Sequence, residues 1–197
     1  MIAAVILASG FSQRMGRSKL TLELGGRTFL QRAVDAARGA SRLGSILLVV
    51  RPEDEALAPP GPGVVLNPEA AQGQSASIRL ATAALAADPN CEAVIFSVVD
   101  QPFLQPEVFD TLAEAWSAGR GEILVSTYDG QRGSPVLFGR RFLNELQQIS
   151  GDVGGREVMR RHPELVAEVE MPDPQAGRDV DTWEEYLQLA GVQSASD

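Results

Sequence analysis

Apolar runs without polar alternation are the feature that most constrains the fold of this chain. Such runs occupy Ala3 to Leu7, Ser45 to Val50 and Ala93 to Val99, and Gly63 to Leu66 is a shorter one. A strand that is apolar on both faces belongs inside a parallel sheet covered by helices. Segments with helical periodicity, such as Thr28 to Ala40, separate these runs. The sequence therefore predicts an α/β fold: a three-layer sandwich whose mostly parallel sheet carries helices on both faces.

The second half of the chain continues the alternation. The further predicted helices are Gln74 to Ala87, Pro106 to Ser117, Arg140 to Gln148 and Thr182 to Ala190. The further predicted strands are Glu122 to Thr127, Pro135 to Phe138 and Val166 to Met171. Ser75 is a candidate N-cap for the helix that begins at Gln74. No linker divides two cores, so we expect one domain over residues 1–191 and a disordered tail over residues 192–197.

Composition excludes several classes of function. The 197 residues include 17 Lys+Arg and 26 Asp+Glu, giving a net charge of −9. An acidic chain without a basic run is a poor partner for nucleic acid or an anionic membrane. The apolar run Ile2 to Ala8 is too short to span a bilayer and no basic segment precedes it, so we expect a cytoplasmic protein. One cysteine, Cys91, and one histidine, His162, exclude a multi-thiolate metal site and a Ser–His arrangement elsewhere.

The loop after the first strand is the most informative segment. Arg14, Arg17 and Lys19 place three positive charges within six residues of an acidic chain, beside glycines that allow a tight wrap. Lys19 is also the one lysine among the 17 basic residues. This pattern indicates a phosphate site, although the spacing fits neither a P-loop nor the Gly-x-Gly-x-x-Gly motif. A basic surface turn remains the alternative.

Aspartates follow two later segments. Asp100 comes directly after a buried run, and one carboxylate together with substrate phosphates is adequate for Mg²⁺. Asp179 and Asp181 face the same side if their segment is extended, so both carboxylates can approach one cation. The alternative is that these aspartates cap neighbouring turns or the final helix, with Thr182 assisting.

Six segments, taken in chain order, then carry a resemblance. They are Leu7-Ala8-Ser9-Gly10-x-Ser12-x-Arg14-Met15-Gly16-x-x-Lys19, Asn67 with Gly73-Gln74-Ser75-x-Ser77-Ile78-Arg79, Asp100-Gln101-Pro102, Gly133-x-Pro135-Val136-Leu137-Phe138, Gly151-Asp152-x-Gly154-Gly155-Arg156 and Asp179-Val180-Asp181-Thr182. Together they resemble the nucleotidyltransferases that build molybdenum-cofactor dinucleotides, and more the molybdopterin cytidylyltransferase branch than the guanylyl branch. The resemblance extends from Ile2 to about Leu189.

The resemblance implies a Rossmann-like sheet in a fold of the nucleotide-diphospho-sugar transferase type and transfer of CMP from CTP to molybdopterin, with release of pyrophosphate. It implies Mg²⁺ as cofactor, CTP or another NTP and molybdopterin as substrates, and a molybdoenzyme or its chaperone as partner. Ser9 departs from the family pattern, which has Ala at this position in the cytidylyl branch and Gly in the guanylyl branch. Its hydroxyl can therefore alter contacts with the base.

The resemblance also implies roles for particular residues. Those implied in catalysis are Arg14, Lys19 and Asp100. Those implied in nucleotide binding are Leu7, Ala8, Ser9, Gly10, Arg14, Lys19, Asn67 and Ser75. Those implied in acceptor binding are Gly133, Pro135, Asp152 and Arg156, and those implied in binding the metal are Asp100 and Asp181. The remaining alternatives are a guanylyltransferase or sugar-phosphate nucleotidyltransferase of the same fold, a non-catalytic maturation factor that binds nucleotide, and a plain interaction domain.

Overall fold

The computed structural model of the protein describes residues 1–12, 15–151 and 154–194. The described strands are β1 Ile2–Leu7, β2 Glu23–Leu24, β3 Arg27–Thr28, β4 Leu43–Val50, β5 Gly63–Leu66, β6 Ala93–Val98, β7 Ile123–Tyr128, β8 Gln131–Gly139 and β9 Val166–Glu170. The described α-helices are α1 Phe29–Gly39, α2 Gln74–Ala86, α3 Pro106–Ser117, α4 Leu143–Leu146, α5 Arg156–Arg161 and α6 Trp183–Ser194.

Seven strands form one sheet in the order β5-β4-β1-β6-β8-β7-β9. β5, β4, β1 and β6 pair in parallel, β8 is antiparallel to both of its neighbours, and β9 is parallel to β7. The unbroken apolar runs of β1 and β6 supply the centre of this sheet, where almost every residue is buried. The predicted mostly parallel sheet is confirmed.

Helices cover both faces of the sheet. On one face, α1 and α3 pack against β1, β4 and β6 through a cluster that includes Phe29, Phe109 and Leu112. On the other face, α2, α4 and α5 pack through a cluster that includes Ile78 and Leu146. This arrangement confirms the predicted three-layer α/β sandwich.

The N-terminus of α2 differs from the prediction. Its N-cap is Gly73 and not Ser75. The backbone of Gly73 has φ 93°, a conformation that side-chain-bearing residues avoid, so the cap lies two residues before Ser75, while the helix itself begins at Gln74 as predicted. Ser75 lies within the first turn, where it is fully buried.

Other boundaries also differ from the prediction. β8 begins at Gln131, four residues before the predicted Pro135, because the antiparallel pairing with β7 continues to the turn at Asp129-Gly130. The predicted helix from Arg140 divides into a 3-10 turn, Arg140–Phe142, and the short α4. α6 continues past the predicted Ala190 to Ser194 and so enters the segment predicted as a disordered tail. Residues 195–197 lie outside the described residues.

The order of the strands locates a crevice. From β1 the chain adds β4 and β5 on one side, whereas β6 lies on the other side. In open α/β sheets, ligands bind beyond the carboxyl ends of the strands at such a reversal of strand order. The loops that follow β1 and β6 are therefore the ones that border a ligand.

Candidate active site

A cleft of about 1340 Å³ opens at this reversal of strand order. The loop after β1 lines it from Leu7 to Ser12, and Lys19 and Asp100 line it as well. A pocket for one small molecule seldom exceeds about 1,000 Å³. The cleft therefore has room for two substrates side by side.

Lys19 is the basic centre of the cleft. Its Nζ lies 2.7 Å from Asp181 Oδ1 and 3.2 Å from Asp100 Oδ2, so one ammonium group joins two carboxylates. Only 13% of its side chain is exposed. The backbone N–H of Lys19 donates to Ser12 Oγ at 3.1 Å, which ties the end of the loop back to its beginning. The structure thus brings together three residues that the sequence analysis selected separately.

A hydrogen bond between chain segments brings Asp181 to Asp100. The backbone N–H of Val180 donates to the carbonyl oxygen of Asp100 at 2.9 Å, so the two flanking segments run side by side. Thr182 and Glu185 cap α6 reciprocally: Glu185 Oε2 accepts from the N–H of Thr182, and Thr182 Oγ1 accepts from the N–H of Glu185. Because Thr182 is the cap, the helix does not occupy the carboxylate of either Asp179 or Asp181, and both residues line the cleft.

Asp179 is the third carboxylate at this end of the cleft. Asp179 is an exposed residue, but partial desolvation of its carboxylate is the largest of the causes that raise its pKa to about 6. The negative charge of Asp100 raises the pKa further, whereas a hydrogen bond from Gln101 opposes the shift. Within the part of the chain that the structure describes, Asp100, Asp179 and Asp181 thus surround Lys19 at this end of the cleft.

The carboxylates of Asp100 and Asp181 fit a divalent cation. Both already contact one positive group, Lys19 Nζ, at 3.2 Å and 2.7 Å, so the two carboxylates lie close to the same point in the cleft. Among residues 1–12, 15–151 and 154–194, no three His, Cys, Asp or Glu side chains form a cluster that could hold a metal ion alone. Mg²⁺ does not need such a cage, since it typically binds one or two carboxylates together with substrate phosphates and water.

A buried hydroxyl pair forms another part of the cleft wall. Ser9 Oγ and Ser77 Oγ lie 2.5 Å apart, and Asn67 Nδ2 donates to both, at 3.3 Å and 2.9 Å. Asn67 Oδ1 accepts from the N–H of Glu69, which fixes the orientation of the amide. One hydroxyl must donate to the other, so one hydroxyl proton of the pair is left to point toward a ligand. Ser9 and Ser77 line the cleft, whereas Asn67 is buried behind them.

Ser75 has a different environment from the one implied by the resemblance. It does not line the cleft: its backbone N–H donates to the carbonyl oxygen of Gly151, and its hydroxyl accepts from Arg79 Nη1 at 3.3 Å. Arg79 Nη1 also donates to the carbonyl oxygen of Ile149. Ser75 therefore fixes α2 to the segment that precedes α5.

The residues implied in acceptor binding lie at the β8 side of the cleft. Gly133 lines it, and a Cβ at this position would approach the Tyr128 ring to 3.0 Å, so glycine keeps this part of β8 against the ring. Pro135 is buried, and its carbonyl oxygen accepts from Ser126 Oγ at 2.7 Å. Arg156 lines the cleft from α5. Two further implied residues, Arg14 and Asp152, lie outside the described residues.

The sequence analysis missed three polar residues of the cleft. Ser77 faces Ser9, while Arg132 and Arg160 line the cleft near Arg156. The signal for Arg160 was its spacing of four residues from Arg156, which puts both side chains on one face of a helix. Ser77 belongs to a motif that carries the resemblance but was given no role, whereas Arg132 offered no local signal, because only the pairing of β8 with β7 positions it.

Cys91 and His162 lie away from the cleft. Burial raises the pKa of the Cys91 thiol, which keeps it protonated, and its Sγ contacts the carbonyl oxygen of Ala93. His162 is the C-cap of α5 and is half-buried, with Nε2 2.8 Å from Glu145 Oε2. In the described part of the chain, none of the helices is both long and apolar enough to cross a membrane.

Comparison with known proteins identifies a family to which this chain is similar. Residues 4–166 match the MobA-like NTP transferase domain. The chain is 27% identical to nicotine blue oxidoreductase of Paenarthrobacter nicotinovorans (95% of this chain, 96% of the relative) and 28% identical to the purine catabolism protein PucB of Bacillus subtilis (94% of each). It is 32% identical to a probable molybdenum cofactor guanylyltransferase of Opitutus terrae, over 62% of this chain and 59% of the relative.

A similar solved structure is that of Rv0371c from Mycobacterium tuberculosis, with a TM-score of 0.82 and 29% identity over 96% of this chain and 97% of the other. A second structure of Rv0371c is a complex with manganese, at a TM-score of 0.77 and 28% identity over 96% of this chain and 98% of the other. A divalent metal ion thus binds a protein of this fold.

Proposed function

The chain belongs to the MobA-like NTP transferase domain family, and we propose that it transfers CMP from CTP to molybdopterin and releases pyrophosphate. The observation that carries the proposal is the contact of Lys19 with Asp100 and Asp181 in a cleft large enough for two substrates. This arrangement provides positive charge for a triphosphate and carboxylates for a divalent cation at the same place.

The proposed transfer of CMP brings two negatively charged substrates together. An oxygen of the acceptor phosphate attacks the α-phosphorus, the bond to the β-phosphate oxygen breaks, and pyrophosphate leaves. The attacking oxygen is already deprotonated at neutral pH, so no general base is required, which agrees with a cleft that His162 does not line. The barrier comes largely from bringing two anions together, and fixed positive groups lower it.

Lys19 is the residue best suited to that task. Its compact ammonium group, on a flexible stem, can contact oxygens of adjacent phosphates. Mg²⁺ bound by Asp100 and Asp181 would neutralise further charge on the reacting phosphates. The loop after β1 orients the nucleotide, because Leu7, Ala8 and Gly10 line the cleft directly before Lys19.

Two features support CTP as the nucleotide. Asn67 with the segment from Gly73 to Arg79 resembles the cytidylyltransferase branch. The hydroxyl pair of Ser9 and Ser77 also leaves one proton to donate, and O2 and N3 of cytosine can accept it. Ser9 thus keeps a small side chain where the branch has Ala and adds a hydrogen bond that Ala lacks.

Molybdopterin is the proposed acceptor because the motifs from Leu7 to Thr182 follow the order of the molybdenum-cofactor enzymes. The Opitutus terrae relative, a probable molybdenum cofactor guanylyltransferase, supports the same acceptor. The dinucleotide product would be passed to a molybdoenzyme or its chaperone.

The proposal is tested by measuring pyrophosphate release in the presence of Mg²⁺. CTP, GTP, ATP and UTP are each supplied with molybdopterin, and sugar 1-phosphates replace molybdopterin in parallel reactions. We expect release with CTP and molybdopterin, and none when EDTA replaces Mg²⁺. Preference for GTP would make the protein a guanylyltransferase, and preference for a sugar phosphate would make it a sugar-nucleotide enzyme. Nucleotide binding without release would indicate a maturation factor.

A further inference from the structure

Arginines line the cleft on the side of β8 and α5. Arg132, on β8, forms an ion pair with Glu168 at 2.6 Å, so part of its charge is compensated. Arg156 and Arg160 lie four residues apart on one face of α5, and both line the cleft. In the ranges 1–12, 15–151 and 154–194, neither forms an ion pair, whereas the adjacent Arg161 pairs with Glu145 and Glu157. In an acidic chain, two such guanidinium groups point to an anionic ligand.

The anion that these arginines bind differs from the nucleotide triphosphate. Lys19 follows β1, beside the loop that holds the nucleotide in the proposed function, whereas Arg156 and Arg160 line the cleft from a different element, α5. A reaction between two phosphates needs positive charge on each of them. Arg156 and Arg160 supply the second set, and planar guanidinium groups suit phosphate oxygens.

An apolar surface lies beside the arginines. We call it the acceptor floor, and it consists of Val125, Val136, Phe138, Met159 and Val166. Val136, Met159 and Val166 are partly exposed in the cleft, whereas Val125 and Phe138 are buried and support them from within the sheet. Val125 pairs with Val136 across β7 and β8, and Phe138 lies two residues further along the same face of β8. Met159 comes from α5 itself, between the two arginines.

The acceptor floor discriminates between classes of phosphate monoester. A sugar placed on it would lose the hydrogen bonds that its hydroxyl groups make with water, because Val, Phe and Met side chains cannot replace them. A flat ring system would instead bury apolar area there, with methionine well suited to packing against the face or edge of a ring.

We propose that Arg156 and Arg160 bind the phosphate of the acceptor and that the acceptor floor selects a ring-containing body with few hydroxyl groups over a sugar. The inference rests on the proposed function, since it assigns the acceptor half of the same cleft. It adds Arg160 and the floor to the residues that determine specificity, and it names the class of acceptor independently of molybdopterin.

The test compares the binding of two phosphate monoesters that differ in the group esterified to the phosphate, which is an aromatic ring in one and a sugar in the other. The affinities of 1-naphthyl phosphate and glucose 1-phosphate for the full chain are measured by calorimetry without nucleotide. We expect 1-naphthyl phosphate to bind at least about tenfold more tightly, because only its ring gains from burial on the floor. Equal affinities, or a preference for the sugar phosphate, would overturn the proposed selection.

Variants then test the arginines. The double variant Arg156→Gln/Arg160→Gln should weaken the binding of 1-naphthyl phosphate by about tenfold or more, as expected for the loss of charge-assisted hydrogen bonds. Arg161→Gln is the matched control, because it removes a neighbouring guanidinium that pairs with Glu145 and Glu157 instead of lining the cleft. Unchanged binding in the double variant would refute the assignment of Arg156 and Arg160.

The two proposals fail in distinguishable ways. If 1-naphthyl phosphate binds selectively but molybdopterin supports no pyrophosphate release with any NTP, the proposed function is wrong and the assigned acceptor class stands. If release occurs with molybdopterin and Arg156→Gln/Arg160→Gln leaves the KM for molybdopterin unchanged, the acceptor assignment is wrong and the proposed function stands.

Discussion

Lys19 Nζ contacts Asp181 Oδ1 at 2.7 Å across 162 positions of the chain. The contact joins the loop after the first strand to the segment before the last helix, and Asp100 completes it from the loop after β6. The one lysine among 17 basic residues therefore lies where acidic groups from two other segments converge. We propose that the position of this lysine has a chemical reason, the binding of phosphates beside the two carboxylates.

The first prediction concerns the type of positive charge at position 19. Lys19→Arg keeps the charge but replaces a compact ammonium group with a broad planar fork in a largely buried position. We expect the kcat of pyrophosphate release to fall by about tenfold or more, the equivalent of about 1.4 kcal/mol of transition-state stabilisation. Arg42→Lys, at a surface pair with Glu114, is the control and should retain activity. Full activity of Lys19→Arg would show that an ammonium group is not required at position 19.

The second prediction concerns Asp100. Asp100→Asn removes a negative charge from a partly exposed side chain without changing its size, so the variant should fold normally. Turnover should fall by about 10²-fold or more, as for other groups that stabilise reacting charge. Steady-state kinetics measure the loss, and the melting temperature verifies the fold. Turnover close to that of the wild type would contradict the assignment of Asp100 to the reaction.

The third prediction concerns pH. The pKa of Asp179 is about 6 in the folded protein and 3.8 for an ordinary aspartate, so the folded state binds this proton more tightly than the unfolded state. Ionised Asp179 therefore destabilises the fold, and its cost grows as pH rises from about 4 to about 6. In EDTA, Asp179→Asn should melt higher than the wild type at pH 7, with the difference vanishing near pH 4.

The expected gain at pH 7 is about 1 kcal/mol, less than the full linkage value, because solvent reaches the exposed side of Asp179. Asp35→Asn, on the surface of α1 beside Arg27, is the matched control for removing one carboxylate. A stability difference that stays constant between pH 4 and pH 7 would show that Asp179 does not titrate in this range.

The fourth prediction separates Asn67 from Ser9. Asn67→Ala removes a buried donor to two hydroxyls and the acceptor for the N–H of Glu69, so the free energy of unfolding should fall by about 2–3 kcal/mol. Ser9→Ala leaves Ser77 bonded to Asn67 and should cost about 1 kcal/mol. Both variants should raise the KM for CTP, and denaturant unfolding should rank the stabilities. An equal loss of stability in the two variants would contradict the hydrogen-bond arrangement.

Much of the fold could be predicted from the sequence because its determinants are local. The apolar runs at β1, β5 and β6 and the proline at the start of α3 give these elements within a residue or two of their observed bounds. The two-residue strands β2 and β3 were not predicted, since two residues are too short to show periodicity. The start of α2 at Gln74 was predicted correctly, but its N-cap was not, because a serine resembles an N-cap in the sequence, whereas the positive φ of Gly73 appears only in the structure.

The candidate site could be predicted in part for a similar reason. Lys19 and Asp100 follow strands that lie side by side, so their loops meet at the same edge of the sheet. Asp181 comes close to Lys19 through the hydrogen bond between Val180 and Asp100. This hydrogen bond joins residues far apart in the chain, so no local sequence pattern could have predicted it. The same holds for Arg132, whose position follows from the antiparallel β8.

The most direct test of the central claim follows the α-phosphorus of CTP. The protein is incubated with Mg²⁺, molybdopterin and CTP labelled at the α-phosphate or, separately, at the γ-phosphate, and the products are separated and identified by mass. The account predicts that the α label enters a molybdopterin cytosine dinucleotide while the γ label leaves as pyrophosphate. Transfer of the γ label to the acceptor, or release of the α label as free CMP alone, would contradict it.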